Sequence, residues 1–232
     1  MDNSLVCLTL AVGLSLPGVA IAQGCAPERL VRMTIRNISP GLAAADPRAQ
    51  PRVIWRQGAK LLRSEESPDL ATGGAAMVVI ISEPDIWTFN LSNRRGGHAL
   101  DPGPVLEVQA PILPVIPDLP PDFRTLEFGC EAAFVVAHAP QPVRNVPWGK
   151  TVLAAHMATV GDHSIAFLMD SRRSAPVLIS YARAGAPVFA IRYDAWRADL
   201  PEQPDLFLPP KNVQITETSG AAKGVDATSD QK

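Results

Sequence analysis

Apolar and polar positions alternate and pause between residues 51 and 92 in a way that predicts four consecutive antiparallel strands. Val53 and Trp55 fall on one side of the first strand and Ile54 and Arg56 on the other, because strand side chains alternate with period two. Gln57-Gly58 supplies a tight turn, and Lys60 to Arg63 run back along the partner. Gly73-Gly74 breaks the pattern, and residues 77–81 then form a continuous β-branched run, the mark of a central strand. After the Glu83-Pro84-Asp85 turn, Trp87, Phe89 and Leu91 share a face, with Thr88 and Asn90 opposite.

The same pattern predicts strands elsewhere. Val31, Met33 and Ile35 alternate with Arg32, Thr34 and Arg36 over residues 30–38. Residues 125–138, with the apolar run 132–137, read as a further strand, and 150–159, 163–170, 176–183 and 187–196 as four more. A short strand at 212–216 closes the series. Residues 92–98, with Gly96 and Gly97, and the Pro-punctuated 140–148 read as turns or loops. Residues 101–122 are rich in proline yet apolar between the prolines. Such a segment cannot be a central strand, because proline removes ladder donors. It reads as an extended stretch lying across an apolar surface, or as an ordinary crossover loop. The fold class expected is mainly β: an antiparallel sheet with little helix, in one domain over residues 23–217. Residues 218–232 lack apolar periodicity and read as a disordered tail.

With 232 residues and 47% hydrophobic content, the chain can bury a substantial core. A formal net charge of −2 gives no electrostatic basis for nucleic-acid binding. The N-terminus changes the picture more. Residues 5–22 are apolar, contain Pro17-Gly18 and end in Ala20-Ile21-Ala22, which fits a signal-peptide cleavage site. Residues 1–22 are therefore read as a cleaved signal, and the mature protein as periplasmic or secreted. Met1-Asp2-Asn3 carries no positive charge, as a start further upstream would explain. An uncleaved anchor helix is the alternative, disfavoured by Pro17-Gly18 and the small-residue exit. Cleavage removes Cys7 and leaves Cys25 and Cys130 in an oxidising compartment, where one disulfide is expected. The rival is a lipidated Cys25, although Gln23 fits poorly where small residues are usual.

The run from Trp55 to Glu65, W-R-Q-G-x-K-x-x-R-x-E, followed by V-V-I-I-S-E-P-D-I-W, resembles the LolA/LolB-like periplasmic proteins and their secreted relatives. The closing strands and Pro204-Asp205-Leu206-Phe207-Leu208-Pro209-Pro210 are similar to that group as well. The resemblance covers residues 30–217. It implies an incomplete antiparallel barrel, a strongly curved sheet whose apolar concave face holds an acyl chain or another greasy ligand beneath a helical lid. This sequence departs from the pattern in showing no amphipathic lid helix and in placing its Pro-rich segment about where a lid belongs. The departure counts against lipoprotein shuttling and leaves a hydrophobic-ligand or membrane-associated role.

No catalytic constellation emerges: there is no G-x-S-x-G, H-E-x-x-H, C-x-x-C or phosphate-binding glycine loop. No enzymatic activity, metal or cofactor is expected. His156 and His163 flank a predicted hairpin and, with Asp162, are the weak start of a metal site; half-buried strand histidines are the simpler reading. His98 with Asp101, the Arg94-Arg95 and Arg172-Arg173 turns, and Glu127 with Glu131 each have an ordinary structural explanation. The aromatics say more. The ligand-binding residues expected from the resemblance are Trp55, Val79, Ile81, Trp87, Phe89, Phe134, Phe167, Tyr181 and Phe189, all in predicted strands. The partner expected is a hydrophobic small molecule or lipid, or else a cell-envelope protein bound through a sheet edge or the Pro-rich segment. Peripheral membrane contact through the paired arginines and a monomeric state complete the expectation.

Overall fold

The computed structural model describes residues 24–66 and 76–217. The expected signal segment, its cleavage site, the Gly73-Gly74 break and the C-terminal tail lie outside the described residues. The strands run β1 (Leu30–Asn37), β2 (Arg52–Gln57), β3 (Leu61–Glu66), β4 (Met77–Ser82), β5 (Asp85–Asn90) and β6 (Arg95–Leu100). One α-helix among the described residues follows, α1 (Glu131–His138). Then come β7 (Arg144–Trp148), β8 (Thr151–Val160), β9 (His163–Asp170), β10 (Ala175–Arg183), β11 (Ala186–Leu200) and β12 (Gln214–Glu217).

All twelve strands form one sheet in the order β12-β6-β5-β4-β3-β2-β1-β11-β10-β9-β8-β7. Every neighbouring pair is antiparallel except β12 with β6. The fold is therefore mainly β with little helix, as expected. The sheet is open, with β12 and β7 at its edges, and it is not strongly curled. Twelve strands are more than an open, strongly twisted sheet usually sustains without flattening or splitting. Register shifts, which bend a sheet, occur only in β1, β9, β10 and β11.

Turn chemistry sets the hairpins. Gly161 at φ 61° opens the two-residue turn between β8 and β9, where Val160 pairs with His163. Ala184 and Gly185 both take positive φ between β10 and β11, the geometry that matches strand twist.

Three sequence expectations need correction. Residues 131–138 form a helix, not a strand: Glu131, Phe134 and Val135 are buried at helical spacing, and Cys130 precedes the first turn. Residues 95–100 form β6 rather than a turn, because Phe89 lies opposite Gly96 and supplies the side chain that the glycine lacks. Residues 144–148 form β7 rather than a loop. Pro147 is tolerated there because the strand is an edge.

The main core lies on one face of the sheet. Met33 pairs with Ile54, and Ile179 pairs with Phe167 and Ile191, so these side chains line up across the strands. Val108, Ala110, Ile112, Leu113 and Leu119 of the Pro-rich segment pack down on them, as do Phe134 and Val135 of α1. The Pro-rich segment, with the residues that follow it as far as Phe128, is thus an extended strap across an apolar surface, joined to itself by a bridge between Pro111 and Glu127. Strap and helix together cap this face. A second cluster occupies the opposite face at the β4–β5 end, where Phe207 seals Leu30, Val78, Ile80 and Phe89.

Candidate functional site

The cap is attached to the sheet by polar groups as well as by apolar packing. Arg56 points from β2 into the capped face and is only 3% exposed. One of its Nη atoms donates to Phe128 O at 2.6 Å; the other donates to Val108 O at 3.3 Å and pairs with Glu127 at 2.8 Å. Its Nε has no partner among the described residues. A buried guanidinium needs such acceptors, since an unpaired charge there costs several kcal/mol. Arg56 therefore fixes both ends of the strap to β2.

Glu131, in the first turn of α1, is completely buried. The Tyr193 hydroxyl donates to its Oε1 at 2.7 Å, and the Gly129 N–H donates to Oε2 at 2.9 Å. Burial pushes the Glu131 carboxyl up to about 7, against the opposing pull of the Tyr193 hydrogen bond. Burial, reinforced by Glu131, likewise raises the Tyr193 phenol well above its usual range. Next to this pair, Cys25 and Cys130 form a disulfide. Glu127 and Glu131 are thus each committed to a different partner and do not face one cleft as an acid–base pair.

The capped face is packed, and its open space lies at the side of the strap. A groove of about 420 Å³ runs between the strap and the seam of β1 with β11. Ile35, Phe189 and Ile191 form its sheet wall; Ile112, Leu113 and Phe128 form the wall opposite. Arg48, Gln50, Arg52 and Glu66 stand at the rim, where Arg52 pairs with Glu66 at 2.8 Å and Arg48 with Asp46 at 2.7 Å. A second pocket of about 340 Å³, lined by Ile116, Leu119 and Phe123 among others, shares Pro111, Leu113, Pro114 and Val115 with the groove. Val115 projects fully into solvent between them.

The residues expected around a ligand divide between the two faces. Phe189 stands in the groove wall. Phe134, Phe167 and Tyr181 are buried in the capped core, and Ile81 packs against its margin. Val79, half-buried, pairs with Thr88 on that same side. Trp55, Trp87 and Phe89 belong to the opposite face with Ile80 and Phe207, and the Arg32 guanidinium sits 5.5 Å over the Trp55 ring. The groove residues Ile35, Ile112, Leu113, Phe128 and Ile191 were not among those singled out. For Ile112 and Leu113 the sequence signal was the apolar content of a segment too rich in proline to be a strand; Ile35 and Ile191 lie in strands that the alternation predicts, with nothing to mark them as groove residues.

His156 and His163 are each tied to groups of the fold. His156 bonds Ala139 O at 2.7 Å, while His163 lies between Tyr181 Oη at 2.7 Å and Asp162 at 3.1 Å, so the two do not meet. Asp101 accepts from Gly103 N–H rather than reaching His98. No group of three His, Cys, Asp or Glu side chains able to hold a metal occurs among the described residues.

No protein-family model matches the sequence, and no curated protein sequence matches it. Solved structures do show similarity. A LolA superfamily protein is among them. That protein, NE2245 from Nitrosomonas europaea, is 12% identical over 79% of this chain and 91% of its own, with a TM-score of 0.33. An uncharacterized conserved protein from Thermus thermophilus is 10% identical over 82% of this chain and 91% of its own, with a TM-score of 0.46. The Pseudomonas aeruginosa MucA/MucB complex contains a chain 11% identical over 84% of this chain and 60% of its own, also with a TM-score of 0.46.

Proposed function

We propose that this chain is an exported, non-enzymatic binding protein for an apolar ligand, a lipid or acyl chain, held in the groove between the strap and the β1–β11 seam. The observation that carries this reading is the groove itself. Its volume of about 420 Å³ falls within the ~300–1,000 Å³ of small-molecule sites, its walls are apolar, and its mouth has arginines that suit a polar or anionic headgroup. The neighbouring pocket extends the apolar track past Val115. Phe189 is the expected ligand contact that this reading retains in the groove wall. The disulfide fits an oxidising compartment and supports a periplasmic or secreted location.

Titration of the purified chain with a fluorescent fatty acid tests the proposal. Saturable binding is expected, with affinity falling about tenfold in Phe189→Glu, because a carboxylate there must be desolvated by the acyl chain. Absence of binding by the wild type, together with native mass spectra free of lipid, overturns it.

A second reading, a cell-envelope interaction protein, draws on the free β7 edge. Trp148 on this strand, Val143 just before it and Val152 on the neighbouring β8 are all more than two-fifths exposed, and an open edge invites pairing with another chain. One stoichiometric protein partner recovered from envelope extract, lost in a Trp148→Lys variant, favours this reading.

A further inference from the structure

The β6 edge of the sheet is occupied by the chain's own last strand, and the occupancy is slight. β12 has four residues, all exposed, and forms the one parallel pairing among the described strands. None of its side chains belongs to either apolar cluster. Its register sets Ile215 against Gly96, Thr216 against Gly97 and Glu217 against His98. Two adjacent glycines leave no side chain on β6 to crowd branched residues on the incoming strand, and His98 then meets an acidic one.

The receiving surface is organised without help from β12. Asp85 on β5 holds His98 Nε2 at 2.8 Å. The ring stacks on Trp87, also on β5, with centroids 5.1 Å apart and planes 18° apart. Those contacts fix the imidazole so that Nδ1 faces the position where Glu217 Oε2 lies, at 2.7 Å. The ladder and this one charge-assisted bond hold the strand, together with the Gln214 N–H donated to Arg94 O at 2.9 Å.

We propose that the β6 edge is a strand-addition site for an extended peptide, recognised by two β-branched residues followed by a carboxylate, and that β12 is its resident, displaceable occupant. The sheet extends by main-chain hydrogen bonding, and His98 reads the acidic position. The site lies away from the groove and does not depend on lipid binding. The titratable groups facing His98 are Glu217 on β12 and Asp85 on β5. Their hydrogen bonds, Glu217 first, raise the imidazole above its ordinary value. The cation is therefore held to higher pH than usual, and the reading of the acid fades as pH rises through that raised value.

The test uses the full chain and a fluorescein-labelled synthetic peptide, NVQITET, followed by polarisation at pH 6. In Glu217→Gln the resident strand loses its charged anchor, and the peptide is expected to bind about tenfold tighter than to the wild type, the worth of one charge-assisted hydrogen bond. On that variant a peptide with glutamine at the acidic position is expected to bind about tenfold more weakly than the acidic peptide, and the acidic peptide loses the same factor on a His98→Gln, Glu217→Gln double variant. At high pH the two peptides converge. Equal binding to all variants, or no binding to Glu217→Gln with its circular dichroism unchanged, overturns the proposal.

Discussion

At the scale of the residue, the most consequential side chain is Glu131, a carboxyl placed where no water reaches it. Its pKa in the folded chain is pushed up to about 7 by burial, from an ordinary value of 4.5. A raised carboxyl pKa means that the native state prefers the neutral form. Its stabilising contribution is complete below pH 4.5 and is lost as pH rises through about 7. In Glu131→Gln that loss disappears, because the amide stays neutral and the Tyr193 hydroxyl can accept from it. Urea midpoints should therefore fall between pH 4.5 and pH 8 in the wild type and stay nearly level in the variant; parallel profiles would contradict the assignment. Nothing in the linear sequence marks Glu131 as buried, because its neighbours Cys130 and Ala132 fit any environment. Apart from Phe134, which falls in α1, the expected aromatics were legible as sheet residues, but not by face. Trp55 and Phe167 both alternate correctly within their strands, and only the strand order puts them on opposite sides.

At the scale of the element, β2 to β5 and β8 to β11 were legible because their own residues are β-branched, alternating and punctuated by turns. The elements that were missed take their conformation from neighbours. β6 is Arg-Gly-Gly-His-Ala-Leu, with poor strand propensity, and is held by pairing with β5. The apolar run of α1 is too short for its helical period to stand out from that of a strand. The strap shows the same dependence, since a Pro-rich segment has few ladder bonds and must be fastened otherwise. Its Val108 N–H reaches Ala59 O at 2.7 Å, and its Val108 and Phe128 carbonyls accept from Arg56. Arg56→Met keeps much of the side-chain volume but strips both carbonyls and Glu127 of their donor. The expected cost is about 3 kcal/mol, as for breaking a buried ion pair from one side. Hydrogen exchange should locate the damage: the Val108 and Phe128 amides lose protection while those of β9 keep theirs. A uniform loss would mean that Arg56 supports the sheet rather than the strap.

At the scale of the whole molecule, two runs of hairpins, β2 to β6 and β7 to β11, meet only through β1. That strand pairs with β2 nearby in sequence and with β11 more than 150 residues away, as the Arg36–Asp194 contact across this seam illustrates. This order could not be read from the pattern, because any edge of one run could have met any edge of the other. Such a seam gives no reward until a long loop closes. The disulfide between Cys25 and Cys130 bears on that cost. It links the segment just before β1 to the start of α1 across 105 residues, so even the unfolded chain keeps these regions near each other. A cross-link of this span is worth about 2–4 kcal/mol, mostly by restricting the unfolded state. Replacing both cysteines by alanine should lower the urea midpoint accordingly, and the slope of the transition should steepen as the unfolded chain expands. The strap, anchored separately by Arg56, should keep its contacts, so fatty-acid binding in the groove should survive under native conditions. Loss of stability with an unchanged slope would place the effect in the folded state instead. The disulfide would then be a clamp on α1 rather than a limit on how far the two runs of hairpins can separate.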